Sequence, residues 1–112
     1  MTRRVETALT FERDLKRLGR RYRRIRLDLE PLIEQLSAGA TPGDRLKGVQ
    51  SVVYKVRIPN RDAGRGKSGG YRVIYYLPSG EVTTLLTIYS KTDQADISAD
   101  EIARIFNDEL GG

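Results

Sequence analysis

Apolar positions with helical spacing predict two consecutive helices in the first third of the chain. Within residues 11–25 apolar side chains recur every three or four positions, and Thr10 precedes them as a candidate N-cap. A second stripe spans residues 29–36, with Asp28 as a candidate N-cap and Gly39 as a candidate stop signal. Two helices with a short connection are expected to form an antiparallel hairpin with one shared apolar face.

A change to a period of two predicts three strands further along the chain. The first, residues 51–58, alternates between apolar side chains on one face and a face that carries Lys55 and Arg57. The second, residues 71–77, is apolar on both faces at all but one position, as expected of a strand in the middle of a sheet. The third, residues 82–89, follows a tight turn and should form an antiparallel hairpin with the second.

A short strand at residues 3–9 and a final helix complete the predicted fold. Ser98 followed by Glu101 is a capping box, and apolar side chains then continue at helical spacing as far as Leu110. The predicted order is β-α-α-β-β-β-α, an α+β fold that forms one domain over residues 1–112. If the helices all cover one face of the small antiparallel sheet, the other face is open and carries the cations of the strands.

The composition narrows the kinds of site that the chain can build. Cysteine and histidine are absent, which excludes disulfides, thiolate metal sites and the commonest acid–base residue. No apolar run approaches the roughly 18 residues of a membrane span, and the basic N-terminus lacks the apolar core of a signal peptide. We therefore expect a cytoplasmic protein with no membrane association and no cofactor or metal. The carboxylates near the final helix are interpreted as helix capping rather than as a metal site: Asp93, Asp96, Asp100 and Glu101.

Positive charge is concentrated in two blocks. The net charge is +5, but residues 1–26 and residues 45–72 each carry +7, and the remaining segments are acidic. Two basic blocks on a compact domain indicate a nucleic-acid partner, and the alternative is a basic surface that only favours solubility.

A basic, glycine-rich loop at residues 59–68 leads into the strand that carries Arg72, and we expect its tip to be mobile. An arginine in an otherwise apolar strand needs acceptors, which a bound phosphate would supply, or else a carboxylate such as Asp62 or Asp93. The run Gly66-Lys67-Ser68 is not a nucleotide-binding loop, because the required earlier glycine is missing and a strand follows instead of a helix.

We interpret the cations as a site that grips RNA phosphate. RNA cleavage needs a base for the 2′-hydroxyl, a cation near the developing phosphorane and an acid for the leaving 5′-oxygen. Without histidine, a lysine among other cations is a candidate base, arginine can only stabilise charge, and a tyrosine can donate a hydrogen bond or stack on a base. The candidate catalytic residues are Lys55, Arg57, Lys67, Arg72, Tyr89 and Lys91. The candidate additional RNA contacts are Arg20, Arg21, Arg24, Arg61 and Arg65.

From Phe11 to Phe106 the sequence resembles the RelE/ParE superfamily of bacterial type II toxins. The most specific segments are residues 67–76, 85–91 and 96–98, which resemble the HigB-like branch of RelE toxins. The resemblance implies an mRNA interferase that enters the ribosomal A site and cleaves translated mRNA without a metal. It also implies a cognate antitoxin that neutralises the toxin.

The resemblance also implies roles for individual positions. Ser98 stands where the best-studied members have a tyrosine near the start of the last helix, and Tyr89 is the candidate substitute. The positions that match basic residues of the family are Lys55, Arg57, Arg72 and Lys91.

Two alternatives remain open on sequence alone. A ParE-type toxin inhibits DNA gyrase and performs no RNA chemistry, and the density of cations on the open face argues against it. A non-catalytic RNA-binding module is the other alternative.

Overall fold

The computed structural model describes residues 2–49, 51–64 and 69–111. The strands are β1 Arg4–Thr7, β2 Asp44–Arg45, β3 Val53–Ile58, β4 Tyr71–Tyr76 and β5 Val82–Ser90. The helices are α1 Leu9–Arg21, α2 Ile25–Ser37 and α3 Ala99–Phe106, the last extended by a π-helical turn, Asn107–Gly111. None of the helices in the described part of the chain has the length and apolar character needed to cross a membrane.

The strands form one mixed sheet in the order β1-β5-β4-β3-β2. Strand β1 runs parallel to β5, whereas the other neighbours are antiparallel. The predicted α+β fold is confirmed, but the sheet is mixed rather than wholly antiparallel because of β1, and β2 is an addition at one edge. This strand has only two residues, Asp44 and Arg45, so it is too short to show an alternating pattern.

The hairpin of α1 and α2 packs on one face of the sheet and builds the larger part of the core. Apolar side chains from both helices meet β3, β4 and β5 there, and Leu36, Tyr71 and Val73 are completely buried. The apolar side chains on this face come from the helical stripes and from alternate positions of the strands, as the helical and the alternating periods predict.

The N-caps predicted for α1 and α2 are wrong. Thr10 lies inside α1, whose N-cap is Ala8, and Asp28 lies inside α2, whose N-cap is Arg24. In α1 a carboxylate from a distant segment accepts hydrogen bonds from first-turn backbone groups, and in α2 a distant carboxylate accepts one from the N-cap residue. Glu109 accepts from Leu9 N–H at 3.1 Å and from Thr10 N–H at 2.8 Å, and Asp62 accepts from Arg24 N–H at 2.7 Å. Caps of this kind have no local sequence signature.

The expectation that all helices cover one face is also wrong, because α3 packs on the opposite face. Ile102 is 1% exposed and joins a second apolar cluster with Val53, Ile74 and Leu86. The ring of Phe106 meets the ring of Tyr76 edge-on, with 4.8 Å between centroids. Helix α3 is amphipathic and needs an apolar surface, and the hairpin already occupies the first face.

The predicted capping of α3 is confirmed. Ser98 is the N-cap, and its hydroxyl oxygen accepts a hydrogen bond from the backbone N–H of Glu101 at 3.1 Å. The loop at residues 91–98 therefore connects the end of β5 to the start of α3.

Gly43 permits the chain to pass close to β3 just before β2. Its φ is 96°, in the left-handed region that favours glycine, and a Cβ placed there would lie 2.9 Å from Val56 Cα. The preceding Pro42 carbonyl accepts a hydrogen bond from the Tyr75 hydroxyl. This turn therefore fixes the position of the middle of β3, where Lys55 lies.

Candidate functional site

The face of the sheet on which α3 packs carries a row of three polar side chains on adjacent strands. Arg57 on β3 is the registered neighbour of Arg72 on β4, and Arg72 is the registered neighbour of Tyr89 on β5. Lys55 lies two residues before Arg57 and therefore on the same face. Sheet pairing thus brings together four of the predicted catalytic residues, which we call the cationic site: Lys55, Arg57, Arg72 and Tyr89.

Arg72 is the most deeply placed cation of the cationic site. It is 5% exposed, and its Nη1 donates to the carbonyl oxygen of Tyr71 at 3.2 Å. Burial, followed by the neighbouring charge of Arg57, lowers the pKa of Arg72, while Tyr89 and Asp96 act in the opposite direction. An arginine stays charged in proteins despite such a shift, so the site holds a partly desolvated positive charge.

The two carboxylates considered as partners of Arg72 form ion pairs with other arginines. Asp62 Oδ1 lies 2.8 Å from Arg24 Nε, and Asp93 Oδ1 lies 3.0 Å from Arg21 Nη1. Both pairs therefore connect loops to the helical hairpin.

Asp96, which the sequence assigned to helix capping, accepts hydrogen bonds from two residues of the cationic site. Its Oδ1 accepts hydrogen bonds from Lys55 Nζ at 3.1 Å, from the Tyr89 hydroxyl at 3.4 Å and from Ile97 N–H at 2.8 Å. The hydrogen bonds from Ile97 and from Lys55 lower the pKa of Asp96, so this carboxylate is anionic at neutral pH. No sequence signal identifies it, because the loop after β5 has no periodicity from which to infer where its side chains lie.

Tyr89 retains its hydroxyl proton over the physiological pH range. Burial and then the nearby negative charge of Asp96 raise the pKa of Tyr89 to about 12, although the positive charge of Arg72 opposes this shift. Only 4% of the residue is exposed. Tyr89 is therefore a hydrogen-bond donor with little ring surface available for stacking.

Of the remaining two predicted catalytic residues, Lys67 and Lys91, the structure describes only Lys91. Lys91 is exposed, its Nζ donates to the carbonyl of Ala95 at 3.0 Å and its N–H donates to Gly70. It therefore supports the loop that carries Asp96. Lys67 lies outside the described residues, as does Arg65 among the predicted RNA contacts.

Two of the predicted RNA-binding arginines anchor the loop after β3 to helix α2. Arg24 pairs with Asp62, and Arg61 Nε lies 3.1 Å from Oδ1 of the fully buried Asp28. Asp28 also accepts from the backbone N–H of Arg61 at 3.2 Å. These crossed contacts fix residues 59–64 against the hairpin. The predicted mobile tip falls partly on residues 65–68, outside the described part of the chain.

Arg20 and Arg21, also predicted to contact RNA, lie at the exposed end of α1. Arg21 pairs with Asp93, and its guanidinium carbon lies 5.0 Å from the centre of the Tyr22 ring. Asp93 belongs to the same loop as Asp96, so Arg21 fastens this loop from the side of α1. Arg20 remains a candidate for surface contact with RNA.

We expect Arg61→Ala to lower the free energy of unfolding by about 1–3 kcal/mol, since the buried carboxylate of Asp28 loses its counter-ion. The exposure of Arg61, 53% of its side chain, keeps the effect below that of a fully buried pair. Urea unfolding measures the change. The double variant Asp28→Asn with Arg61→Ala should recover most of the loss, and wild-type stability of Arg61→Ala alone would contradict a structural role.

Within the described residues, no group of three or more carboxylate, histidine or cysteine side chains could hold a metal ion. The cationic site itself consists of three cations and a phenol, and the carboxylate of Asp96 lies beside them.

Comparison with known proteins identifies the family. A profile described as "RelE toxin of RelE / RelB toxin-antitoxin system" matches residues 12–107. A solved structure of the E. coli toxin RelE, an arginine-to-alanine double mutant in the free state, has a similar fold with a TM-score of 0.55. The two sequences are 16% identical, and the match covers 99% of this chain and 97% of that chain. The chain therefore belongs to the RelE toxin family and is the toxin of a toxin–antitoxin system, with an antitoxin as its partner.

Proposed function

We propose that the toxin cleaves mRNA at the cationic site by attack of a 2′-hydroxyl on the adjacent phosphate, without a metal. The observation that carries this proposal is the row of Arg57, Arg72 and Tyr89 on three paired strands, with Lys55 beside it. Side chains on a paired sheet have little freedom, so charges and donors are held in place before the substrate arrives.

In the proposed reaction the 2′-oxygen forms a bond to phosphorus and the bond from phosphorus to the 5′-oxygen breaks. The 2′-hydroxyl gives its proton to solvent water, and solvent water supplies the proton that the leaving 5′-oxygen gains. The products are a 2′,3′-cyclic phosphate and a 5′-hydroxyl end. Negative charge grows on the non-bridging oxygens during this step, and cations aimed at those oxygens lower the barrier.

Arg57 and Arg72 are the proposed stabilisers of that charge. Both carry guanidinium groups, which match the geometry of phosphate oxygens and cannot act as bases. Arg72 is the stronger of the two in this proposal, because its burial removes water that would otherwise screen its charge. Arg57 is exposed and can receive the RNA first.

Tyr89 is proposed as the hydrogen-bond donor to the phosphate or to the leaving oxygen. Its hydroxyl remains protonated, and its buried ring makes stacking on a base the weaker alternative. Lys55 is proposed to contact the phosphate as an ammonium donor, since in the structure it donates to a carboxylate.

The proposed partners follow from the same surface. The exposed cations of α1, including Arg20, are proposed to contact ribosomal RNA, and the cytoplasm is the proposed location of the toxin. The antitoxin is proposed either to cover the cationic site or to displace α3, whose Phe106 packs on Tyr76. Membership of the HigB-like branch of the family is a further prediction.

Primer extension on a translated message, after expression of the toxin in a bacterium, tests the proposed function. We expect cuts within codons that disappear when the start codon of the message is removed. Intact messages together with gyrase-dependent DNA breaks would favour the ParE-type alternative. RNA binding without any cleavage would instead identify a non-catalytic module.

A further inference from the structure

The carboxylate of Asp96 occupies two of the donors that the proposed function assigns to RNA. One of its oxygens, Oδ1, accepts from both Lys55 Nζ, at 3.1 Å, and the Tyr89 hydroxyl, at 3.4 Å. Carboxylate and phosphate oxygens are interchangeable as acceptors for such donors. Asp96 therefore lies where a non-bridging phosphate oxygen is expected.

We propose that Asp96 is a built-in competitor for phosphate that makes the toxin selective for RNA presented by the ribosome. The inference rests on the proposed function, since it assumes that Lys55 and Tyr89 bind the substrate. Free RNA must displace the carboxylate at its own bulk concentration. Message held on the ribosome beside the bound toxin has a much higher effective concentration, so it displaces the carboxylate readily.

The backbone around Asp96 holds the carboxylate in position before RNA arrives. Ile97 N–H donates to Oδ1 at 2.8 Å, and the Gln94 side-chain amide donates to the Asp96 carbonyl at 2.9 Å. Lys91 closes the turn through the carbonyl of Ala95. The carboxylate is thus part of an ordered loop rather than a chance contact of an unattached side chain.

The exposure of the two partners makes an exchange of anions feasible. The Asp96 side chain is 66% exposed, so when it rotates away water can replace its hydrogen bonds, whereas the Lys55 side chain is only 27% exposed. Lys55 therefore stays in the site and changes its acceptor. A carboxylate that remained in place would repel the incoming phosphate, because both groups carry negative charge at neutral pH.

Asp96→Asn tests the inference through the affinity for free RNA. The probe is a short fluorescent single-stranded RNA with 2′-deoxy sugars at its potential cleavage positions, and anisotropy gives its dissociation constant at fixed salt. We expect binding about two- to five-fold tighter than that of wild type, the range of one partly exposed ion pair. The asparagine carbonyl can still accept from Ile97 N–H, so the loop should keep its shape.

Asp93→Asn is the matched control, because it removes the same charge from the same loop but pairs with Arg21 instead of the cationic site. The inference requires Asp96→Asn to bind more tightly than Asp93→Asn and to cleave more free, unmodified RNA in the absence of ribosomes. Equal affinities for the two variants, or weaker binding by Asp96→Asn, would overturn it.

Arg72→Ala separates a failure of this inference from a failure of the proposed function. If Arg72→Ala cleaves normally on ribosomes, the proposed function fails, and this inference fails with it. If Arg72→Ala is inactive but Asp96→Asn binds RNA no more tightly than Asp93→Asn, only the competitor role is wrong.

Discussion

Arg72→Ala is expected to reduce mRNA cleavage on programmed ribosomes by about 100- to 1,000-fold, the usual effect of removing one preorganised donor from a transition-state site. The reason is the position of this guanidinium in the middle of the sheet, beside Arg57 and Tyr89 and 5% exposed. A single-turnover cleavage rate with a short message measures the effect. Growth of cells that express the variant should recover in parallel.

Two further variants make the result on Arg72 specific. Arg72→Lys keeps the charge and much of the apolar stem but loses the planar fork, so we expect intermediate activity and a folded protein. Arg4→Ala is the matched control, since Arg4 is a highly exposed arginine on β1 that pairs with Glu6. Full toxicity of Arg72→Ala would remove this residue from the proposed mechanism.

Gly43→Ala should destabilise the protein by about 2–5 kcal/mol, because a positive φ costs about 1–2 kcal/mol and an overpacked contact about 1–3 kcal/mol. The φ of 96° opposes any side chain, and the added Cβ would lie 2.9 Å from Val56 Cα and closer still to the Lys55 carbonyl oxygen. Both obstacles are backbone atoms of β3, which cannot rotate away. Guanidinium unfolding gives the change in stability.

Two other glycines separate the causes of that loss. Gly48 has a positive φ of 79° but open space around its Cβ position, so Gly48→Ala measures the backbone cost alone. Gly80 has open space and no positive φ, so Gly80→Ala should be nearly neutral. If all three variants lost the same small amount, close approach of Gly43 to β3 would not matter for stability.

The fold could be predicted wherever a residue's neighbours along the chain determine its environment. Helical and alternating periods identified the hairpin, the strands and α3, because burial on one face imposes those periods directly. The failures arose where a distant group decided the outcome. Glu109 caps α1 and Asp62 supports the start of α2, and neither is close in sequence to the helix that it serves.

The candidate site shows the same division. Alternation along β3 placed Lys55 and Arg57 on one face, and pairing with β4 and β5 placed Arg72 and Tyr89 beside them. The environment of Asp96 depends on the path of a loop, so no pattern predicted it. The ion pairs of Arg21, Arg24 and Arg61 likewise join residues 72, 38 and 33 positions apart in the sequence.

The pairing of β1 with β5 has a consequence for newly made toxin. Residues Arg4–Thr7 find their partners only at Val82–Leu85, and the row of the cationic site is complete only when Tyr89 has joined the sheet. During synthesis the first strand therefore has no partner until β5 has been made, and contacts of such long sequence separation form late in folding. A nascent chain that has not yet brought Tyr89 into the sheet carries no assembled cationic site, so the proposed cleavage requires that β5 has left the ribosome.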